Sequence, residues 1–218
     1  MPKRFDLIAF DWDGTLFDST AIIAHSIQAA VRDVGGTVPS DRQATHVIGL
    51  GLSQALALAA PDVPRHRYPE LAARYRHHYS VKQDEINLFE GVVALLGELR
   101  GRDHKLAVAT GKSRAGLDFA LRAVDLGALF DATRTADQTA GKPDPMMLHE
   151  LMDELGVDAA RTLMVGDTSH DLLMARNAAC ASVAVSYGAH EAGQFESLGA
   201  SYTAHSVAQL RLWLIEHA

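Results

Sequence analysis

The chain has 218 residues, of which 48% are hydrophobic and 22% are charged, and its formal net charge at pH 7 is −7. This balance is typical of a globular protein with a sizeable core, and it excludes a disordered, collagen-like or coiled-coil chain. The acidic excess argues against nucleic acid as a partner, and the single cysteine, Cys180, excludes a disulfide framework and a cysteine-built zinc site.

The predicted elements begin with a short apolar strand over residues 5–10, followed directly by Asp11 and Asp13. The start of the chain is basic, but the aspartates interrupt the apolar run, so it does not have the form of a signal peptide. No apolar segment approaches the roughly 18 residues that a membrane span requires. We therefore expect a cytoplasmic protein with no membrane partner.

A helical segment follows the first strand, and alternating strands and helices follow that segment. Helices are predicted over 22–34, 53–60, 68–79, 91–102, 113–124, 146–155, 169–179 and 206–216. Further strands are predicted over 105–109, 161–165 and 181–185. The alternation predicts right-handed crossovers and a parallel sheet. We expect an α/β fold with a Rossmann-like parallel sheet core, residues 1–15 and 87–218, and an all-helical cap domain, residues 16–86, inserted after the first strand.

Polar side chains come directly after the predicted strands. Asp11 and Asp13 follow the first strand, Thr110 follows the second, and Asp167 follows the third, with Asp171 four residues later. Open α/β sheets bind ligands outside the carboxyl ends of their strands. We therefore expect these groups to converge at one edge of the sheet, together with Lys142 from a Gly-Lys-Pro-Asp-Pro loop.

This set of carboxylates, one hydroxyl and one ammonium suits phosphoryl transfer. So many carboxylates need a cation, and oxygen ligands select a hard one, usually Mg²⁺. One aspartate attacks phosphorus to give an aspartyl-phosphate, and a second protonates the leaving alkoxide and then deprotonates water. Asp11 and Asp13 are two residues apart, and such side chains of an extended strand point the same way.

Four motifs, in this order, resemble those of the haloacid dehalogenase superfamily. They are Asp11-Trp12-Asp13-Gly14-Thr15-Leu16, Thr110, Lys142-Pro143, and Gly166-Asp167 with Asp171. The helical insert after the first motif resembles the branch of the family that includes phosphoglycolate phosphatases. The resemblance covers essentially the whole chain. It implies a Mg²⁺-dependent phosphatase acting on a small phosphorylated metabolite, with phosphoglycolate as the first candidate.

The resemblance also implies roles for individual residues. Asp11 matches the nucleophile and Asp13 the general acid and base, while Lys142 matches the lysine that stabilises the phosphoryl group. Thr110 matches the phosphate-binding hydroxyl, and the neighbouring Gly111 stands where many relatives carry Asn, which removes one hydrogen bond near the phosphate.

The metal-binding roles that the resemblance implies fall on four aspartates. Asp167 matches a metal ligand, together with the Asp11 carboxylate and the Asp13 carbonyl. Asp171 matches an acidic position that supports the metal, in some relatives through water. An acid in the first turn of a helix is the alternative interpretation of Asp171, and Asp18 or Ser19 is predicted to cap the first helix of the insert.

Other functions remain open from the sequence. A β-phosphoglucomutase-like enzyme keeps both aspartates but returns the phosphoryl group to sugar, and a receiver-type or other regulatory module accepts phosphate without hydrolysing a substrate. Thr110-Gly111-Lys112-Ser113 resembles the end of a P-loop but lacks its first glycine, because that position is Leu106. The sequence indicates neither the substrate nor the oligomeric state. We expect specificity to come from the insert, through the turn at 49–53 or Arg and His side chains between 65 and 78.

Overall fold

The computed structural model describes residues 3–218, so residues 1 and 2, with which the predicted core segment 1–15 begins, lie outside the described part. Six strands form one sheet in which every pair of neighbours is parallel, in the order β3-β2-β1-β4-β5-β6. The strands are β1 (Leu7–Phe10), β2 (Lys105–Thr110), β3 (Ala132–Thr135), β4 (Thr162–Gly166), β5 (Ala181–Val185) and β6 (Thr203–Ala204).

Nine α-helices connect these strands within residues 3–218. They are α1 (Thr20–Asp33), α2 (Asp41–His46), α3 (Leu52–Ala59), α4 (Tyr68–Lys82), α5 (Val92–Gly101), α6 (Arg114–Ala123), α7 (Met146–Leu155), α8 (Ser169–Asn177) and α9 (Val207–His217). None of these helices is both long and apolar enough to cross a bilayer. The predicted α/β fold with a parallel sheet is confirmed.

The central strand β1 is buried along its whole length, and this explains the position of Asp11. All four of its residues are fully buried, with Ile8 and Phe10 in one hydrophobic cluster and Leu7 and Ala9 in another. Successive side chains point to opposite faces, and helices cover both faces of the sheet, so every position is apolar. The first polar residue, Asp11, therefore stands where the strand leaves the core.

Three elements of the fold, β3, β6 and α2, were not predicted from the sequence. Strand β3 reads ATRT, and only its first and last residues are buried, so its apolar pattern is too weak to predict a strand. Strand β6 has two residues, and α2 has six, which is too short for helical periodicity to show. Both missed strands lie at the edges of the sheet, where one neighbour supplies all their hydrogen bonds.

The four helices α1 to α4 form a helical insert between β1 and α5. It has a hydrophobic cluster of its own, which includes Ile27, Val31, Leu56 and Leu71. Two connections join it to the rest of the chain, and they run side by side: Asp18 N–H donates to the Asn87 carbonyl at 2.9 Å, and Phe89 N–H to the Leu16 carbonyl at 3.0 Å. The predicted cap boundaries, 16 and 86, fall in these connections and stay a prediction.

Candidate active site

Asp11, Lys142 and Asp171 form a buried ion-pair cluster at the carboxyl edge of the sheet. Lys142 Nζ lies 2.7 Å from Asp11 Oδ1 and 2.7 Å from Asp171 Oδ1. All three residues have no exposed surface. They come from the end of β1, the loop before α7 and the first turn of α8, so the parallel sheet brings together residues that are far apart in the sequence.

Asp167 lies beside this cluster and is held by hydrogen bonds to both of its oxygens. Thr15 Oγ1 donates to Asp167 Oδ1 at 2.9 Å, and the Ala189 N–H donates to Oδ2 at 2.7 Å. Two glycines approach the same carboxylate, since a Cβ at Gly14 or Gly188 would lie 2.2 Å from Oδ2. Gly14 also has φ +84°, a left-handed conformation that favours glycine. The carboxylate is therefore fixed in position.

Asp171 has two roles in the structure, so the two interpretations of this residue do not exclude one another. Its Oδ2 accepts hydrogen bonds from the Thr168 N–H and hydroxyl at 3.1 and 2.6 Å, which makes a capping box at the start of α8. Its Oδ1 faces Lys142. The helix cap therefore aims the second oxygen at the cluster.

The three carboxylates fit a hard divalent cation. Asp11, Asp167 and Asp171 each offer an oxygen, and these oxygens lie within 4.8 Å of one another. Within residues 3–218, Asp11 Oδ2 is buried and has no hydrogen-bond partner. Buried polar atoms rarely stay unpaired, so this oxygen points to a ligand. An all-oxygen donor set suits Mg²⁺ rather than a soft metal.

The pKa values of the cluster also indicate that it has too little positive charge for its carboxylates. Burial, together with the charges of Asp171 and Asp167, raises the pKa of Asp11 well above its usual range, although Lys142 opposes the rise. Burial and the charge of Asp171 raise the pKa of Asp167 to about 7. Burial by itself would lower the pKa of Lys142, but Asp11 and Asp171 outweigh it and the pKa is raised. The single Lys142 ammonium thus contacts two carboxylates, Asp11 and Asp171, and a third, Asp167, lies close by.

Asp13 has different partners from Asp11. Lys112 Nζ donates to Asp13 Oδ1 and Oδ2, each at 2.9 Å, and Ser19 Oγ donates to Oδ1 at 2.7 Å. The chain leaves the strand at Asp11 and turns, because the Leu16 and Phe17 N–H groups both donate to the Trp12 carbonyl. Asp13 thus lies past the end of β1, and the expectation that its carboxylate and that of Asp11 face one substrate stays a prediction.

Ser19 corrects a second expectation. It stands at the N-cap position of α1, but its side chain makes no capping hydrogen bond there. Its hydroxyl is turned towards Asp13, and Asp18 is exposed. The predicted capping role was wrong for Ser19, because its backbone, at φ −112° and ψ −9°, does not have the extended conformation of a capping residue.

Thr110 and Gly111 lie where β2 meets the insert. Thr110 is buried, and its Oγ1 accepts a hydrogen bond from the Lys112 N–H at 3.2 Å. A Cβ at Gly111 would lie 2.5 Å from the Gly49 carbonyl oxygen and 2.6 Å from that of Leu50. The insert turn at 49–53 thus packs directly on Gly111, and no larger residue fits there in this conformation.

Three histidines from distant segments form a second contact between the insert and the sheet. His170 Nε2 and His190 Nε2 each lie 3.0 Å from the His46 carbonyl oxygen. The Ser169 N–H donates to His190 Nδ1 at 3.1 Å. Both nitrogens of His190 are therefore used by backbone groups, and burial lowers its pKa to about 4, so it is neutral at pH 7. These histidines hold the insert rather than a metal.

Sequence reasoning missed Lys112 and this histidine contact. Lys112 follows the second predicted strand, two residues after Thr110, and that position was a signal for the site, although no role was predicted for its ammonium. The histidines have no regular spacing to reveal them. The Arg and His side chains considered for specificity include Arg67, Arg74 and His78, which pair with Glu70 or Asp33 within the insert.

Comparison with known proteins places this site in a family. The family model described as "Haloacid dehalogenase-like hydrolase" matches residues 8–185. "Probable phosphatase IndB" of Dickeya dadantii is 37% identical over 88% of this chain and 85% of its own length. A phosphoglycolate phosphatase of Aliivibrio fischeri is 34% identical over 86% of this chain and 87% of its own length. "Pyrophosphatase PpaX" of Halalkalibacterium halodurans is 28% identical over 95% of both chains.

Solved structures agree with these relatives. A hydrolase from Pseudomonas syringae superposes with a TM-score of 0.88 and 25% identity, covering 97% of this chain and 98% of its own. The chain therefore belongs to the haloacid dehalogenase-like hydrolase family. It is an enzyme of the phosphatase class within that family, which confirms the resemblance and excludes the receiver-type module.

Proposed function

We propose that the protein is a Mg²⁺-dependent phosphatase that hydrolyses a small phosphorylated metabolite through an aspartyl-phosphate on Asp11, with phosphoglycolate as the first candidate. The observation that carries the proposal is the buried Asp11 carboxylate, which faces one ammonium and two further carboxylates and keeps Oδ2 unpaired among the described residues. The relatives named as phosphoglycolate phosphatases support the choice of substrate.

The chain's own residues perform the proposed reaction in two steps. An Asp11 oxygen attacks phosphorus, the bond to the leaving oxygen breaks, and Asp13 gives that oxygen a proton. Asp13 then takes a proton from water, which attacks phosphorus, releases phosphate and restores the Asp11 carboxylate. Lys142 and the hydroxyl of Thr110 hold the phosphoryl oxygens as negative charge shifts between them.

A divalent cation held by Asp11, Asp167 and the Asp13 carbonyl, with Asp171 in support, would supply the missing positive charge. Together with Lys142, it would reduce the repulsion between the Asp11 carboxylate and a phosphate dianion. The localisation that fits this chemistry is the cytoplasm, where phosphorylated metabolites occur.

We also propose that the insert acts as a cap that opens and closes, with core residues 1–15 and 87–218 and cap residues 16–86. Asp11, Lys142, Asp167 and Asp171 have no exposed surface in the structure, so a substrate reaches Asp11 only if part of the protein moves. The insert contacts the edge of the sheet through the backbone carbonyls of Gly49 and His46, and opening of the cap would break these contacts. Closure would keep bulk water from the reacting groups.

Removing the acid function of Asp13 should affect substrates unequally. Asp13→Asn is expected to slow hydrolysis of an alkyl phosphate by about 10²–10⁴-fold, because the leaving alkoxide receives no proton. The phosphorylation step with p-nitrophenyl phosphate should suffer less, since p-nitrophenolate leaves without one. Single-turnover measurements check this, with the exposed Asp18→Asn as a control; equal losses for both substrates would contradict the acid role.

A side chain at Gly111 should hinder closure. Gly111→Ala places a methyl group against two insert carbonyls, and such overpacking typically costs roughly 1–3 kcal/mol, so we expect at least about a fivefold loss of kcat/KM. Gly97→Ala is the matched control, because nothing lies within 4 Å of a Cβ there. Thermal unfolding of both variants should stay close to wild type. Unchanged turnover in Gly111→Ala would show that the closed contact is not needed.

Phosphate release from a panel of phosphorylated metabolites, measured with Mg²⁺, tests the proposed function. We expect release from p-nitrophenyl phosphate and a preference for one small phosphate ester, with phosphoglycolate measured first. A β-phosphoglucomutase-like enzyme would instead convert a sugar phosphate without net phosphate release. No release from any compound on the panel would refute the proposal.

A further inference from the structure

Lys112 is a second cation of the site, with a side chain only 11% exposed, and it pairs with Asp13 rather than with Asp11. Its Nζ donates to both oxygens of Asp13 at 2.9 Å, and to the Tyr79 hydroxyl at 3.0 Å. Lys112 belongs to the loop after β2, whereas Tyr79 lies on α4 of the insert. The ammonium is therefore enclosed between the sheet and the insert, next to the carboxylate that is proposed to protonate the leaving group.

Lys112 and Lys142 pair with different aspartates of the site. Among the ion pairs of residues 3–218, those of Lys112 and Lys142 are the ones in which both side chains are at most 11% exposed. Lys142 pairs with Asp11, the proposed nucleophile. Lys112 pairs with Asp13, the residue proposed to protonate the leaving group.

The pair with Asp13 is not available throughout the proposed reaction. Asp13 has to turn one oxygen towards the leaving group during the reaction, so the contact of Lys112 with both of its oxygens cannot persist through the whole cycle. A buried ammonium without a partner is costly. Tyr79 supplies a neutral acceptor and an aromatic face, 4.9 Å from Nζ to the ring centroid, but no negative charge.

We propose that Lys112 is a specificity-determining residue that binds a second anionic group, carried by the leaving part of the substrate. In the substrate-free enzyme, the Asp13 carboxylate occupies the position that this group would take. The substrate class is then a small phosphate ester or anhydride with a carboxylate or a second phosphate a few bonds from the bridging oxygen. This inference rests on the proposed phosphatase function.

A matched pair of substrates isolates the charge. Phosphoglycolate and 2-hydroxyethyl phosphate share the phosphoryl group, the bridging oxygen and the adjacent methylene, and differ in having a carboxylate or a neutral hydroxymethyl group. We expect wild-type kcat/KM to favour phosphoglycolate by at least about tenfold, because charged hydrogen bonds are the stronger ones. This ratio needs no variant, and a ratio near one, with pyrophosphate also no better than the neutral ester, would overturn the inference.

Removing the charge of Lys112 should lower the ratio of kcat/KM for phosphoglycolate to kcat/KM for 2-hydroxyethyl phosphate. We expect Lys112→Gln to reduce kcat/KM for phosphoglycolate by about 10- to 100-fold more than for 2-hydroxyethyl phosphate, and Lys112→Arg to keep most of the preference. Lys82→Gln removes a charge from the exposed end of α4 and should leave the ratio unchanged. If Lys112 merely positions Asp13, Lys112→Gln should lower kcat/KM equally for both substrates, and that result would contradict anion binding.

Pyrophosphate distinguishes the two sources of the anion. If the second anion is a phosphate, pyrophosphate should exceed phosphoglycolate in wild type and show the same selective loss in Lys112→Gln; the reverse order indicates a carboxylate. Either order supports the inference. Hydrolysis of p-nitrophenyl phosphate tests the proposed phosphatase function by itself. An enzyme that hydrolyses this ester but prefers no anionic substrate is a phosphatase without the anion site.

Discussion

Asp11→Asn is expected to lower turnover by at least about a thousandfold, or roughly 4 kcal/mol in the activation barrier, with the fold intact. The substitution removes the attacking oxygen and one cation ligand while keeping nearly the same shape. The fold should survive, because Lys142 still lies 2.7 Å from Asp171 and does not become a buried unpaired charge. Steady-state turnover and thermal unfolding, compared with the exposed Asp18→Asn, check both parts.

A second measurement identifies the covalent step. Acid quenching during turnover should trap phosphate on wild-type protein, at Asp11, and none on Asp11→Asn. Peptide mapping of the trapped phosphate would identify the modified residue. Turnover above about a tenth of wild type in Asp11→Asn, or phosphate on another residue, would show that the covalent mechanism is wrong.

Removing the divalent cation is expected to abolish activity, and adding Mg²⁺ should restore it. Asp11, Asp167 and Asp171 carry the charge of up to three carboxylates against one Lys142 ammonium, and the phosphate adds nearly two more negative charges. A buried site cannot hold that excess. Ca²⁺ should activate poorly, because its larger and looser coordination shell would misplace the attacking carboxylate. Full activity in excess EDTA, after extensive dialysis, would overturn this assignment.

The same site predicts a dependence of metal binding on pH. Because burial and Asp171 raise the pKa of Asp167 to about 7, protons compete with the cation below that pH. The Mg²⁺ concentration needed for half activity should therefore rise as the pH falls from 8 to 6, by up to about tenfold per unit for a single proton. Asp167→Asn should raise this concentration at every pH and weaken its dependence on pH, and Asp171→Asn should raise it less.

The elements that lie in the core could be predicted from the local pattern of hydrophobic residues. Strands β1, β2, β4 and β5 are apolar on both faces because helices cover both sides of the sheet, so each stands out as a short hydrophobic run. The edge strands β3 and β6 lack that pattern, because they are shorter or partly exposed. Helix α2 is stabilised by a capping box and by packing in the insert, not by a periodic face of its own.

Most motifs of the site were recognisable because they stand at the carboxyl end of a strand or in the first turn of a helix, whereas Lys142 lies in the loop before α7. Asp11 after β1 and Asp171 in the first turn of α8 are examples, and the sheet then brings them to a common lysine. Their side-chain partners did not follow from spacing. Asp13 pairs with Lys112 and Ser19, and the two-residue spacing between Asp11 and Asp13 does not indicate either partner.

By itself, the sequence determined the parallel sheet, the helical insert after β1 and the positions of the four motifs at the edge of the sheet. The tertiary structure decided what closes over them: the Gly49 and Leu50 carbonyls on Gly111, Tyr79 on Lys112, and two histidines on the carbonyl of a third. Those contacts join segments that lie far apart in the sequence and are not separated by any regular spacing. They depend on how two packed bodies meet, and short-range periodicity, which reports only the face that each element buries, carries no information about that meeting.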